Sequence, residues 1–495
     1  MQIDRRRFVQ LAGLGVAGPA LLPARAVHAA SADPALDPLR PECHLLPPHN
    51  WMNDPNGPIW WKGSYHLFYQ LNPHAAVWGD MHWGHAVSPD MVHWRHQPVA
   101  LAPTARGADS EGCFSGSAVV ADGVPTFIYT GVQNAPPELV TQRDGANKLR
   151  ETQLLATAAD DDLVRWNKLD QPVIATPPPG VAVTGFRDPC PWREADAWYL
   201  GVGSGERGKG GCVLLYRSRD LRQWEYLHKL AEGKPNGKQA VNPCDSGEMW
   251  ECPDFFPLGN FHCLLYSTEG KVIWTTGRYD ARTHHYAPEH EGVLDHGAFY
   301  APKSFLAPDG RRILWGWIQE TRPEADYAAA GWAGVMSLPR ALGVDASGRL
   351  TMAPAAETAS LRGARLHSSA RANGAWRWPL AALRCEMSLR TDEPAAVRLR
   401  TRGATVWELS LDPAHGKVQC AERSFSAAPS AASLPVRLFL DGSVIETFIG
   451  AEEALTSRVY ALAPGETELE VETGLNTAEP AVWMLDPISP DRLTH

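Results

Sequence analysis

The sequence predicts an all-β protein in which a five-bladed β-propeller is followed by a C-terminal β-sandwich. Three observations predict this fold. A short pattern ending in tryptophan recurs, five motifs open strand-rich segments of similar length, and the end of the chain returns to strand-like alternation. Frequent glycine (43 residues) and proline (41 residues) suit the many turns of such folds.

The recurring tryptophan pattern indicates the blades of a propeller. It occurs at Ser88–Trp94, Asp160–Trp166 and Ser218–Trp224. Each copy follows a β-like run and precedes another short strand and a turn. Repeats at this spacing are typical of propeller blades.

Five motifs mark where the blades begin. They are MNDPNG (52–57), CFSGS (113–117), FRDP (186–189), WECPD (250–254) and FYAPK (299–303). These motifs define five units over residues 42–345. Because the innermost strand of each blade lines the central channel, we expect residues at the unit starts to converge. The composition of MNDPNG is also typical of a tight turn.

The C-terminal part of the chain, residues 356–495, is predicted to form a β-sandwich. Residues 356–385 are rich in Ala and Arg, and strand-like segments follow from about residue 386. Within LFLDGSVIETFI (438–449), Asp441-Gly442 has the composition of a hairpin turn between two strands. Several short alternating strands of this kind are typical of a sandwich.

The N-terminus, residues 1–29, resembles a twin-arginine export signal. A basic segment, Asp4–Val9, precedes the weakly apolar run LAGLGVAGPALL (11–22) and a possible cleavage site at 26–29. A disordered basic terminus is the alternative. The signal predicts a periplasmic or secreted protein, and no later segment predicts a membrane anchor.

Composition excludes some classes of function. The net charge is −10 with no basic stripe, which argues against nucleic-acid binding. The nine cysteines are an odd number, and no Cys/His cluster has zinc spacing, so neither a metal nor a cofactor is predicted. Cys113, Cys190 and Cys252 are interpreted as small buried packing groups. The oligomeric state stays open.

Three acidic residues at the blade starts, Asp54, Asp188 and Glu251, suit cleavage of a glycosidic bond. That reaction needs one carboxyl group to protonate the leaving oxygen and a second to attack the anomeric carbon or to activate water. Glu251 fits the acid because its aromatic and apolar neighbours can desolvate it, which favours the protonated form. Arg187 can keep Asp188 charged or bind a sugar hydroxyl.

Each of these residues also has a purely structural interpretation. Arg187 and Asp188 could form a structural ion pair. His85 is predicted to be a core histidine with a satisfied ring. Core positions are also an alternative for three aromatic residues, Trp51, Trp78 and Phe114.

Read together, the motifs resemble glycoside hydrolase family 32, the family of invertases, inulinases, levanases and related fructan exohydrolases. The resemblance covers about residues 42–495. It is carried by WMNDPNGPIWWKGSYHLFYQLNP (51–73), WGH (83–85), CFSGS, FRDP, WECPD, FYAPKSF (299–305) and, near the C-terminus, LFLDGSVIETFI and TSRVY (456–460).

The resemblance implies a retaining mechanism on β-fructofuranosides. The family nucleophile falls on Asp54, the acid/base on Glu251, and the transition-state stabiliser on Asp188. The implied substrate-binding positions are Asn53, Gln70, Trp78, Ser115 and Arg187, with an aromatic rim of Trp51, Trp78 and Phe114. Asp295 lies in a segment that departs from many bacterial members, and it could contact the sugar unit beyond fructose.

The leading hypothesis is an exported hydrolase that releases fructose from sucrose or from the ends of inulin or levan. The export signal argues against intracellular sucrose phosphate. A fructosyltransferase and a catalytically silent fructan-binding protein are the alternatives, and a related family acting on arabinans is disfavoured by MNDPNG with WECPD. The order of preference among sucrose, inulin and levan stays open.

Overall fold

The structure, a computed structural model, describes residues 33–142, 148–234, 249–372, 374–421, 423–427, 433–474 and 477–494. The predicted export signal (1–29) lies outside the described residues. Within these ranges no helix combines the length and apolar character needed to cross a membrane. Nearly all regular structure is β-strand, as the sequence predicts.

The first three blades follow one another along the chain as four-stranded antiparallel units, apart from one added strand in the first blade. The first blade contains β1 (Asn50–Trp61), β2 (Ser64–Asn72), β3 (His82–Ser88) and β4 (Arg95–Leu101). The second contains β5 (Gly112–Ala121), β6 (Val124–Asn134), β7 (Leu149–Ala158) and β8 (Trp166–Lys168). The third contains β9 (Val183–Glu194), β10 (Ala197–Glu206), β11 (Gly210–Ser218) and β12 (Glu225–Glu232).

Two further blades complete the propeller and include the one α-helix of the described residues. The fourth blade contains β13 (Glu251–Leu258), β14 (Phe261–Thr268), β15 (Lys271–Asp280) and β16 (His285–Val293). The last part of the propeller contains β17 (Phe299–Leu306), β18 (Arg312–Ile318), α1 (Glu324–Ala330), β19 (Trp332–Ala333), β20 (Val335–Met336), β21 (Arg340–Val344) and β22 (Leu350–Pro354).

The propeller closes by pairing between the first and last blades. β19 adds to the first blade in parallel with β1, where Asn50 pairs with Trp332. β20 returns to the fifth blade and pairs with β18. The fifth blade ends at Pro354, beyond the predicted boundary at residue 345, because β22 pairs with β21 to complete its sheet.

Every innermost strand changes register part-way along its length. In β1 the shifts fall between Met52 and Pro55 and between Asn56 and Ile59. Similar irregularities interrupt the pairing of β5, β9, β13 and β17 with their neighbours. The motif MNDPNG is therefore a bulged strand and not the tight turn that its composition predicts. Bulges of this kind redirect side chains into a site.

The C-terminal domain is a sandwich of two sheets, as predicted. The six-stranded sheet contains β23 (Arg362–Leu366), β26 (Arg384–Thr391), β31 (Leu434–Asp441), β32 (Val444–Ile449), β33 (Glu453–Arg458) and β35 (Ala481–Leu485). The seven-stranded sheet contains β24 (Ser369–Ala372), β25 (Ala375–Leu380), β27 (Ala395–Thr401), β28 (Ala404–Asp412), β29 (Lys417–Cys420), β30 (Arg423–Ser426) and β34 (Thr467–Thr473). The predicted hairpin joins β31 to β32, with Asp441 paired to Val444.

A buried ionic network joins the two domains. We call its five members, His44, Asp295, Arg340, Asp441 and Glu446, the interdomain seam. His44 contacts Asp441 (Nδ1–Oδ2, 2.8 Å) and Glu446 (Nε2–Oε1, 3.0 Å). Arg340 contacts Asp295 (Nη1–Oδ2, 2.9 Å) and Glu446 (Nη2–Oε2, 2.5 Å). All five side chains are fully buried.

The two ends of the described chain also meet. Near the C-terminus, Arg492 donates hydrogen bonds from Nη2 to the carbonyl oxygens of Asp37 (2.6 Å) and Arg40 (3.2 Å) and from Nη1 to that of Ala35 (3.2 Å). Residues 35–40 are therefore held against the last described residues of the sandwich domain.

Candidate active site

Asp54 lies in the first half of β1 and is held by two side-chain donors. The Asn53 amide donates to its Oδ1 over 3.1 Å, and the Ser115 hydroxyl of β5 donates to its Oδ2 over 2.7 Å. Asp54 is largely buried, with 8% of its surface exposed. Two donors from neighbouring innermost strands therefore fix the orientation of this carboxylate.

Asp188 sits on a strained backbone in β9. Its φ of 63° lies in the left-handed region, which non-glycine residues rarely adopt. The backbone N–H of Cys252 donates to its Oδ2 over 2.8 Å. Burial raises the pKa of Asp188 to about 7; Arg187 opposes this shift, and the negative charges of Glu251 and Asp54 add to it.

Glu251 begins β13 and has a different set of partners. Arg187 donates from Nη2 to its Oε1 over 3.0 Å, and the Tyr300 hydroxyl donates to its Oε2 over 2.8 Å. A guanidinium can only donate, whereas a phenol can also accept. Here the Tyr300 hydroxyl donates, so both oxygens of Glu251 accept hydrogen bonds, and a proton on Oε2 would require that hydroxyl to rotate and accept.

Arg187 is itself anchored by a carboxylate that the sequence analysis missed. Glu151, on β7, accepts from Arg187 Nη1 through Oε1 (2.7 Å) and from the Phe186 backbone N–H through Oε2 (2.6 Å). Glu151 is fully buried. The local sequence offers little signal for it, because Glu151 stands among the polar residues Arg150, Thr152 and Gln153 in the strand LRETQLLATA (149–158).

The Cys252 thiol lies between two of the carboxylates. Its Sγ is 3.5 Å from Oδ2 of Asp54 and 3.5 Å from Oδ2 of Asp188. Burial raises the pKa of this thiol well above its ordinary value, and the two carboxylates add to the shift. The cysteine is therefore a neutral thiol, buried as predicted, and it separates two acidic groups. Cys113 and Cys190 are also buried, free thiols.

Aromatic residues surround the carboxylates in two different settings. Trp51 is buried, and its indole N–H donates to Oδ1 of Asn53 over 2.8 Å, which orients that amide. Trp78 is 39% exposed and meets the Phe114 ring edge-to-face at 6.0 Å. Gln70 donates to the Cys113 carbonyl oxygen over 3.0 Å. We call this group, the three buried carboxylates Asp54, Asp188 and Glu251 with the partly exposed Trp78 and Phe114, the funnel.

Comparison with known proteins identifies the family. The model for the N-terminal domain of glycosyl hydrolases family 32 matches residues 44–354, and the model for the C-terminal domain of the same family matches residues 400–482. The chain belongs to glycoside hydrolase family 32. The resemblance seen in the sequence motifs is thus confirmed, and the protein is a glycoside hydrolase.

Three similar proteins each match at least 90% of this family 32 chain. A sucrose-6-phosphate hydrolase of Escherichia coli is 37% identical, with 90% of this chain and 94% of that protein covered. A solved beta-fructofuranosidase of Bombyx mori is 31% identical, covering 92% and 96%, with a TM-score of 0.78. Fructan 1-exohydrolase IIa from Cichorium intybus is 27% identical, covering 91% and 98%, with a TM-score of 0.73.

The prediction that Asp295 binds substrate is wrong. The sequence predicted that it contacts the sugar beyond fructose. In the structure its side chain is fully buried in the interdomain seam, where Oδ2 accepts from Arg340 and from the Thr456 hydroxyl (2.7 Å). Its Oδ1 accepts from two backbone N–H groups, those of Gly297 and Thr456. The residue is thus structural, because both oxygens are occupied away from solvent.

His85 is a core residue, as predicted, although its ring is not fully satisfied. Its Nε2 lies 3.0 Å from Nδ1 of His66, and its ring stacks on Phe68. Its Nδ1 finds no partner among the described residues. Burial lowers the pKa of His85 well below its ordinary value, so the ring stays neutral.

Proposed function

We propose that the protein is an exported, retaining hydrolase that releases fructose from β-fructofuranosides such as sucrose or the ends of fructans. The observation that carries the proposal is the unequal environment of two buried carboxylates. Asp54 accepts hydrogen bonds from Asn53 and Ser115, whereas Glu251 is shared between Arg187 and Tyr300. One group suits a nucleophile and the other suits a proton donor.

The first half-reaction breaks the glycosidic bond. An Asp54 oxygen attacks the anomeric carbon of the terminal fructosyl unit, and the bonding electron pair leaves with the glycosidic oxygen. Glu251 gives its proton to that oxygen, so the released alcohol is neutral. The Arg187 hydrogen bond then stabilises the Glu251 carboxylate that forms.

The second half-reaction releases fructose. Glu251, now ionised, takes a proton from water while the water oxygen attacks the anomeric carbon, and the ester bond to Asp54 breaks. Two inversions at one carbon give net retention. Asp188 is placed to bind fructose hydroxyls, because Cys252 holds its Oδ2 while the carboxylate keeps its other oxygen for the sugar.

The substrate is inferred from the funnel and from the names of relatives. The solved relatives include a beta-fructofuranosidase, a mutant of it in complex with sucrose, and a fructan exohydrolase in complex with 1-kestose. The Escherichia coli relative is named for sucrose 6-phosphate. We infer unphosphorylated sugars for this chain, since the twin-arginine-like N-terminus directs the folded protein to the periplasm or the exterior.

Two measurements test the proposal. Incubation with sucrose, sucrose 6-phosphate, inulin and levan should release fructose fastest from an unphosphorylated substrate; a preference for the phosphate ester would refute that part. In the presence of methanol, a retaining enzyme forms methyl β-fructofuranoside, whereas the α-anomer would exclude the Asp54 mechanism. Oligosaccharides accumulating at high sucrose would instead identify a fructosyltransferase.

A further inference from the structure

The innermost strands line a second cavity at the end of the propeller channel that follows the catalytic residues. Its volume is about 400 Å³. It is lined by the second halves of all five innermost strands, at residues 58–60, 117–120, 190–192, 254, 255, 257 and 303–306. These segments follow the funnel residues by a few positions, or roughly 10 Å along each strand. The strand bulges separate the two sites.

The walls of this cavity are aromatic. Trp60, Trp192, Phe255 and Phe305 all line it. The Trp192 and Phe255 rings pack at 5.1 Å, which holds both in place. At the rim, Leu306 is 63% exposed and Val120 is 40% exposed. A pocket of this size with apolar walls and an apolar rim suits the body of a small organic ligand.

Two of the polar side chains that line the cavity have a donor without a partner among the described residues. The Arg312 Nε–H and the Ser304 hydroxyl are buried and find no hydrogen-bond partner among the described residues. The Lys303 ammonium is buried and donates to the Pro253 carbonyl oxygen over 2.7 Å. An ammonium has three N–H donors, so this contact leaves capacity for another acceptor.

Charge in the cavity is also unbalanced. Asp254 is its single carboxylate, and both oxygens already accept, Oδ2 from the Ser304 backbone N–H (2.7 Å) and Oδ1 from the Cys190 thiol. No carboxylate oxygen of the described residues lies within 4.0 Å of the charged nitrogens of Lys303 or Arg312. Lys303 and Arg312 contribute two positive charges and Asp254 one negative charge, so the lining of the cavity has a net positive charge.

We propose that this cavity binds a small organic anion, a carboxylate on a flat apolar body, with the carboxylate against Arg312 and Ser304 and the body between the aromatic walls. A sugar would bring donors as well as acceptors, and the cavity offers few acceptors to match them. A bare inorganic anion would leave the aromatic walls unfilled. A carboxylate with an apolar body satisfies both the orphan donors and the walls.

Calorimetric titration of the full chain with phenylacetate, and with its neutral counterpart phenylacetamide, tests the proposal. Phenylacetate should bind one-to-one and at least about tenfold more tightly than the amide, since a charge-assisted hydrogen bond is lost in the amide. Equal binding of the two compounds, or a phenylacetate Kd weaker than about 10 mM, would overturn it.

Two variants locate the binding site. Arg312→Gln should weaken phenylacetate binding roughly tenfold or more. Leu306→Asp places a negative charge on the exposed rim without disturbing the core, and it should also weaken binding, whereas the matched Val99→Asp on the outer strand β4 should not. Unchanged affinity in both Arg312→Gln and Leu306→Asp would place the ligand elsewhere and refute the proposal.

Discussion

The protein contains two clusters of buried carboxylates that the same fold treats in opposite ways. In the funnel, Asp188, Glu251 and the anchoring Glu151 share one guanidinium, that of Arg187, while Asp54 accepts hydrogen bonds from the uncharged Asn53 and Ser115. In the interdomain seam, Asp295, Asp441 and Glu446 are matched by both His44 and Arg340. The funnel therefore has excess negative charge, while the seam is close to balance.

The pKa values follow this difference. Burial by itself would raise the pKa of Glu446, but Arg340 and His44 outweigh it and lower the pKa to about 2. Burial by itself would lower the pKa of His44, but its hydrogen bonds to Asp441 and Glu446 raise the pKa to about 9. Asp188, buried with less compensation, instead has a pKa of about 7. Buried charge that is paired stabilises structure, and buried charge left partly unpaired is available for chemistry.

The largest contrast is expected from Asp54→Asn. This nearly isosteric change removes the proposed nucleophile, so kcat for sucrose should fall by about four orders of magnitude or more. The melting temperature should stay close to that of the parent protein, because the Asn side-chain oxygen can still accept the hydrogen bond from Ser115. Retention of most of the activity would show that Asp54 is not the nucleophile.

The seam should respond in the reverse manner. Arg340→Met leaves Asp295 and Glu446 buried without their cation, which should cost about 3–5 kcal/mol of unfolding free energy. Denaturant unfolding measures this loss, and Arg402→Gln, in an exposed pair with Glu466, is the matched control that should change little. Comparable small losses in both variants would contradict the structural role of the seam.

Glu151 combines a structural and a functional role, because it is fully buried and yet positions Arg187 in the funnel. The variant Glu151→Gln tests this combination. Misplacing Arg187 should lower kcat about 10- to 100-fold with a smaller change in KM. The exposed Glu232→Gln is the control. The pH profile of kcat should also shift, because Arg187 contacts Glu251. A rise in KM of about 10- to 100-fold with kcat unchanged would instead indicate that Arg187 serves substrate binding only.

Stability should also depend on pH in two separate windows. Asp188 holds its proton in the folded state up to a pKa of about 7 but releases it near 3.8 when unfolded, so stability falls as pH rises between these values. His44 contributes stability that is full below 6.5 and lost as pH rises through about 9. Unfolding free energies should be measured from about pH 4 to about 10. The decrease in stability between pH 3.8 and about 7 should be absent in Asp188→Asn, and the decrease between pH 6.5 and about 9 should be absent in His44→Gln. Unchanged slopes would refute these assignments.

The sequence predicted the funnel better than the seam because of how each is encoded. Asp54, Asp188 and Glu251 each lie in a motif at a blade start, so topology alone brings them together. Asp295 also lies beside such a motif, but its partners Arg340 and Thr456 come from distant strands in two domains. No local pattern could reveal that they bury it.

Glu151 was missed for a related reason. It lies on β7, a strand that does not line the channel, and it reaches the funnel only through Arg187. Its neighbours Arg150, Thr152 and Gln153 are also polar, so nothing in the local sequence marks Glu151 as a buried acid. The propeller, the hairpin at Asp441-Gly442 and the sandwich were predictable because local periodicity and turn chemistry determine them.

The contact of Arg492 with the carbonyl oxygens of Ala35, Asp37 and Arg40 has a practical consequence. The described residues nearest the two ends of the chain meet in one patch, so fusion partners attached at residue 33 and at residue 494 would leave the fold from the same region. New termini opened in a hairpin turn, with residues 33 and 494 joined by a short linker, should give a circularly permuted protein that keeps both domains.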